Sequence, residues 1–215
     1  MELQCSAFLF DLDGVLVDSR AVVERVCRLW AQRHGLDPEQ VLRIAHGRRS
    51  RDTVRTTAPH LDADREAAWI DAVELADVAG LSAVAGAGAF LAALPEARWA
   101  VVTSCGRPLA ERRLTAVGLP IPRIVVTSEE VAQGKPAPDG YQLGARRLGQ
   151  HPASCVVFED APAGITAARA AGARVIGLTT MLAAGDLTGA DATTPDFTVI
   201  RVRQDHDGFV VTTEI

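Results

Sequence analysis

The chain lacks any apolar run approaching the roughly 20 residues that a membrane-spanning helix needs, and Met1 to Ser6 lack the charged-then-apolar order of a secretory signal. A soluble cytoplasmic protein is therefore expected. It also lacks paired cysteines. Cys5, Cys27, Cys105 and Cys155 form no C-x-x-C pair and have no His-rich companion, which argues against a structural zinc and suits a reducing compartment. Basic clusters are scarce too: the net charge is -5, and the one cationic stretch, "HGRRSRDTVR", is too short and isolated to make a nucleic-acid footprint. Neither nucleic acid nor a membrane is the expected partner. There is no internal repeat or low-complexity linker, and 215 residues suffice for one sizeable core plus an insertion, or for two small domains.

What the chain does contain is a recurring pattern. Short apolar, β-branched runs end in small or acidic residues: "SAFLFDL", "RWAVVTS", "RIVVTS", "SCVVFED" and "RVIGLTT". Between the later ones lie segments of helical periodicity, "RPLAERRLTAVG", "DGYQLGARRLG" and "AGITAARAAG", each closing on a glycine. That alternation predicts an α/β fold with a doubly wound, Rossmann-like parallel sheet. From Asp18 to Arg98 no convincing strand is found, so an α-helical cap inserted into the core is expected. The division is residues 1–17 and 87–215 for the core and 18–86 for the cap. Within the cap, "AVVERVCRLWAQRHG" reads as an amphipathic helix with Val22, Val26, Leu29, Trp30 and Ala31 inward, and "DADREAAWIDAVELADVAG" as another. The stretch "VAGAGAFLAALP" reads as a hinge and a helix rejoining the sheet. At the other end, residues 196–215 alternate on both sides of Asp207-Gly208, which predicts a C-terminal hairpin within the core.

Ligands of open parallel sheets bind beyond the carboxyl ends of the strands, where the polar residues closing these runs converge. They are Asp11 and Asp13, Thr103 and Ser104, and Glu159 and Asp160, with Lys135 in the loop "GKPAP". Adjacent carboxylates repel, and a cation or a shared proton relieves them. Carboxylates in this number suit a hard divalent cation such as Mg²⁺, and a hydroxyl with an ammonium suits a phosphoryl group. The inventory reads as phosphoryl transfer, in which one leading aspartate attacks phosphorus while the other protonates the leaving alkoxide and later activates water. A calcium loop is excluded, because, with Asp11 as the first position, glycine is fourth rather than sixth and the twelfth position is Val22 rather than glutamate.

These residues, in this order, resemble the haloacid dehalogenase superfamily of phosphotransferases, through "DLDGVLVDS", "VVTS", "GKPAP" and "FEDAPAGITAARAAG". The resemblance implies that Asp11 is the nucleophile and Asp13 the general acid/base. Asp11, the backbone carbonyl of Asp13, and Asp160 would hold Mg²⁺, with Glu159 assisting. Thr103, the amide of Ser104 and Lys135 would bind phosphate oxygens. A family dehalogenase lacks the second aspartate, which disfavours dehalogenation here. The chain looks most like the sugar-phosphate and glycerol-phosphate phosphatase branch, whose His-Gly-x-Arg cap motif falls on His46, Gly47 and Arg49, with Arg48 and Arg51 widening a basic patch toward substrate. Ala161 stands where the family often has serine. The expected activity is Mg²⁺-dependent hydrolysis of a small phosphorylated sugar or polyol through an aspartyl phosphate, by a monomer. A hexose-phosphate mutase of the β-phosphoglucomutase kind is the alternative. A receiver domain fits poorly, since its acceptor aspartate follows a middle strand. His34, His60, His151 and His206 have no constellation around them and carry no assigned role.

Overall fold

The computed structural model describes residues 1–206 and 208–213. The chain opens with β1 (Glu2–Cys5), β2 (Ala7–Phe10) and the two-residue β3 (Val17–Asp18). Four helices follow: α1 (Arg20–His34), α2 (Pro38–Ala45), α3 (Ser50–Thr57) and α4 (Ala63–Ala76). Then come β4 (Ser82–Ala83), α5 (Ala87–Ala92), β5 (Trp99–Val102), α6 (Arg107–Ala116), β6 (Val125–Val126), α7 (Asp139–Arg147), β7 (Cys155–Glu159), α8 (Pro162–Ala171) and β8 (Arg174–Leu178). The chain ends in β9 (Ala192–Thr194), β10 (Ile200–Asp205) and β11 (Gly208–Thr213).

The main sheet has the order β6-β5-β2-β7-β8-β9, and every pairing in it is parallel. The chain builds outward from β2 to β6 on one side and then returns to β7 to build the other. The crevice of a doubly wound sheet opens at such a reversal, here beyond the carboxyl end of β2. The fully buried runs in β2, β5 and β7 reflect coverage of both sheet faces. One face carries all six phenylalanines of the chain, Phe8, Phe10, Phe90, Phe158, Phe197 and Phe209. The other packs Leu9, Val102, Tyr141, Val157 and Ile165. Helices α1 to α4 enclose a separate cluster around Val22, Val26, Trp30, Val54 and Ile70. No helix among the described residues is long and apolar enough to cross a membrane.

Several details differ from the sequence reading. Leu29 is 48% exposed. The buried arc of α1 includes Cys27 and centres on Trp30, and successive helical residues are turned by about 100°, so Leu29 is carried off that arc. Between residues 18 and 98 there is strand after all, since β3 and β4 pair antiparallel through Val17–Ala83 and Asp18–Ser82. This ladder joins the two chain crossings at the base of the helical insert, and two residues are too few to show a period. The C-terminal hairpin forms, with Asp205 opposite Gly208, but Asp207 of the expected turn lies outside the described residues, as do 214 and 215. Rather than joining the main sheet, the hairpin makes a three-stranded antiparallel sheet with β1, whose alternate Leu3 and Cys5 face inward. Gly118, Gly149 and Gly172 all have positive φ, as expected for glycines that reverse the chain after α6, α7 and α8.

Candidate active site

Asp11 follows β2, Thr103 follows β5, and Glu159 ends β7, so parallel pairing alone brings them to one edge. The Asp11 amide donates to Phe158 O at 3.0 Å and the Thr103 amide to Val126 O at 2.9 Å, which carries the sheet's register into the site. The loop after Asp11 is closed by Gly14 N to Val17 O (2.8 Å) and Val17 N to Leu12 O (2.9 Å). Gly14 has a φ of +77°, and a Cβ there would overlap the Asp160 carboxylate. Only glycine serves at this turn.

Three carboxylates, Asp11, Glu159 and Asp160, present oxygens within 4.8 Å of one another, all buried. One ammonium faces them, from Lys135, the only lysine in the chain. Its Nζ lies 2.8 Å from Asp11 Oδ1 and 2.7 Å from Glu159 Oε1. Glu159 also accepts from Tyr141 OH at 2.5 Å and from the amides of Asp160 (3.1 Å) and Ala161 (3.3 Å). It is fully buried and fixed from four directions. Burial pushes the Asp11 carboxyl well above the usual carboxylate range. Lys135 opposes that shift, and Glu159 and Asp160 reinforce it. Burial likewise raises Asp160 to about 6 against the hydrogen bond from His46. Burial would lower the Lys135 ammonium, but Asp11 and Glu159 hold it above its ordinary value. Three carboxylates against one buried ammonium leave an excess of negative charge, and the donor set is all oxygen. Both properties fit a hard divalent cation.

Asp13 faces away from this trio. Its Oδ2 accepts from Arg113 Nη1 at 2.6 Å, and Arg113 Nη2 donates to Glu74 Oε2 at 2.9 Å. Arg113 comes from α6 and Glu74 from α4, so a buried guanidinium ties Asp13 to the helical insert. Thr103 Oγ1 accepts from the Cys105 amide and donates to Cys105 Sγ, both at 3.2 Å. Burial first, then Asp13, pushes the Cys105 thiol far up, so Cys105 supports Thr103 as a neutral group. Ser104 Oγ donates to Gly47 O at 2.9 Å. A Cβ on Gly47, whose φ is +71°, would come within 2.6 Å of Ala161 Cβ, so the loop after α2 sits directly on the start of α8. That close seat gives Ala161 a packing role where a larger side chain would crowd the loop.

The expected core residues thus converge: Lys135 bridges Asp11 and Glu159, and Asp160 lies within 4.8 Å of both carboxylates, with Thr103 and Ser104 alongside. The residues expected to meet substrate divide. His46 Nε2 pairs with Asp160 Oδ2 at 3.2 Å, which places it on the acidic trio. Arg49 points elsewhere: its Nε donates to Asp52 Oδ2 at 2.6 Å, and its side chain lies over Gly134. Arg48, not Arg49, lines the cavity that contains Asp11 and Asp13. Arg113, Glu74 and Tyr141 were not expected. Two of them had a legible signal, since Arg113 shares the buried stripe of Leu109, Ala110 and Leu114, and Glu74 shares that of Ala67 and Ile70. A charge on an apolar stripe needs a partner. His34 has a structural partner in Glu66 at 2.9 Å, which also accepts from Trp30 at 3.0 Å.

Residues 5–172 match the model of the haloacid dehalogenase-like hydrolases. The chain belongs to that family. It is 46% identical over 179 residues to hexitol phosphatase A of Escherichia coli (strain K12), covering 81% of this chain and 83% of that protein. Glycerol-1-phosphate phosphohydrolase 2 of Saccharomyces cerevisiae is 34% identical over 193 residues, 84% of this chain and 77% of that one. Among solved structures, a hydrolase from Pseudomonas syringae superposes with a TM-score of 0.79 at 25% identity, over 89% of this chain and 94% of the other.

Proposed function

We propose that this protein is a Mg²⁺-dependent phosphatase that hydrolyses a small phosphorylated sugar or polyol through an aspartyl phosphate on Asp11. The observation that carries the reading is the meeting of Asp11, Lys135, Glu159 and Asp160 at the carboxyl edge of β2 and β7. Relatives matched over most of the chain include a hexitol phosphatase, a glycerol-1-phosphate phosphohydrolase and a 2-deoxyglucose-6-phosphate phosphatase, which supports a phosphate ester as substrate.

In this reading Asp11 attacks phosphorus as the ester P–O bond breaks, and Asp13 gives its proton to the departing alkoxide. Water then attacks the aspartyl phosphate, its proton passes to Asp13, and phosphate leaves with Asp11 restored. Lys135, the Thr103 hydroxyl and the Ser104 amide hold phosphate oxygens. Asp11, Asp160 and the Asp13 carbonyl would hold Mg²⁺, with Glu159 beside them, and the ion supplies positive charge against the phosphoryl oxygens. Arg113, by donating to Asp13 Oδ2, orients that side chain for proton transfer. Residues 18–86 act as a cap over the core of residues 1–17 and 87–215, hinged near 18–20 and 83–88, with His46, Gly47 and Arg48 at its contact with the site.

Phosphate release from a panel of sugar, polyol and nucleotide monophosphates, with Mg²⁺ and with chelator, tests this. Mg²⁺-dependent release that favours sugar or polyol phosphates is expected. No release from any ester overturns it, and isomer interconversion outpacing phosphate release would mark a mutase.

A further inference from the structure

We propose that Thr53, Glu74 and Arg113 form the specificity site for the leaving group and read the hydroxyls of a neutral polyhydroxylated chain. The inference rests on the phosphatase reading above and adds the residues that choose the ester. Its basis is a set of buried polar atoms without partners. Asp13 Oδ1, Ser19 Oγ, Thr53 Oγ1 and Arg113 Nε are enclosed and make no hydrogen bond to any described residue, and all four residues line the same cavity as Asp11. Ser19, Thr53 and Arg113 are each at most 3% exposed. Unpaired buried polar groups are unfavourable and are retained where something binds them.

The chemistry of these atoms selects the ligand. Arg113 Nε can only donate, and Asp13 Oδ1 accepts when ionised. Thr53 and Ser19 do both. Glu74 receives Arg113 at Oε2, and no described residue donates to its Oε1. A chain of hydroxyls, each both donor and acceptor, satisfies this alternating set, whereas an alkyl or aryl group leaves every member unpaired. Trp30 and Ile70 of the same cavity offer apolar walls to the C–H bonds of such a chain. Arg113 also reaches from the hydroxyl site to Asp13, so a bound polyol and the acid that protonates it share one guanidinium. A site built to hydrogen-bond hydroxyls rejects analogues without them strongly.

The test separates recognition from turnover. Asp11→Asn protein binds without hydrolysis, and its affinity for a hexitol 6-phosphate and for inorganic phosphate is measured by titration calorimetry, alone and combined with Thr53→Val, Thr53→Ser or Glu74→Gln. Thr53→Val and Glu74→Gln should each weaken hexitol phosphate at least fivefold while inorganic phosphate moves less than twofold, and Thr53→Ser should retain affinity. The proposal is overturned if both ligands weaken in parallel, if neither changes, or if the parent binds hexitol phosphate no tighter than inorganic phosphate. Should Glu74→Gln fail to fold, the Thr53 pair decides by the same criteria. A protein that discriminates in this way yet never releases phosphate would refute the phosphatase reading and leave the hydroxyl site standing.

Discussion

Replacing Gly164 with alanine probes the site from beneath. Gly164 lies in the first turn of α8, and a Cβ there would overlap the carboxyl group of Glu159. Glu159 has no room to yield, being fully buried and held by Lys135 at 2.7 Å, by Tyr141 at 2.5 Å and by two backbone amides. Moving it breaks at least the Lys135 ion pair and the Tyr141 hydrogen bond, at about 1.5–3 kcal/mol for each contact with a charged group. Alanine returns about 1 kcal/mol through its better helix propensity. The net loss is then about 2–5 kcal/mol, which for a chain of this size lowers Tm by roughly 4–20 °C at about 2–4 °C per kcal/mol. Calorimetric unfolding of wild type and Gly164→Ala reads this directly, and phosphate release reads the damage to Lys135. A variant that melts within 2 °C of wild type with full activity would show that Glu159 is not the anchor described here.

Glu74 predicts a pH-dependent stability. Burial, against the opposing charge of Arg113, raises its carboxyl to about 7, whereas an unfolded glutamate titrates near 4.3. Between these values the folded protein holds a proton that the unfolded chain has lost. The contribution is therefore fully present below about pH 4.3 and is lost as pH rises toward 7, by roughly 3–4 kcal/mol in all. Urea unfolding at pH 5 and pH 7.5 should show wild type losing stability relative to Glu74→Gln by most of that amount, and an unchanged difference between the two would contradict it. The thiols give an independent check. Burial pushes Cys5 and Cys27 up to about 12 and Cys155 to about 11, and Cys105 higher still, so none is a thiolate at pH 8. A thiol reagent should label fewer than one cysteine in the native protein and four after denaturation, and rapid native labelling of Cys105 would refute its placement under Thr103.

The parallel sheet was legible because strands buried on both faces read as continuous apolar runs, and because polar residues closing such runs must gather at one edge. That is how Asp11, Thr103, Glu159 and Asp160 were read from sequence as candidates, with Lys135 added from the loop "GKPAP". Strands without those properties escaped: β3 and β4 have two residues each, β9 has three, and β1 is half exposed. The Asp13–Arg113–Glu74 link joins residues 100 and 39 positions apart, and no local period encodes it. The cations of "HGRRSRD" were visible as residues but not as directions. Which of Arg48 and Arg49 enters the cavity depends on the turn at Gly47 and on the pull of Asp52, both of which are settled only by packing. The relief of like charges was likewise only half foreseen. The expected relief was a metal ion among the carboxylates, and the protein itself provides side-chain cations, Lys135 beside Asp11 and Arg113 beside Asp13.

In the proposed reaction Asp11 makes and breaks the bond to phosphorus. The most direct test of this step is turnover of a hexitol phosphate by wild type and by Asp11→Asn protein, with circular dichroism confirming that both are folded. In the variant kcat falls by at least about a thousandfold, as expected when the nucleophile of a covalent mechanism is removed. Hydrolysis by folded Asp11→Asn protein within tenfold of the wild-type rate would contradict it.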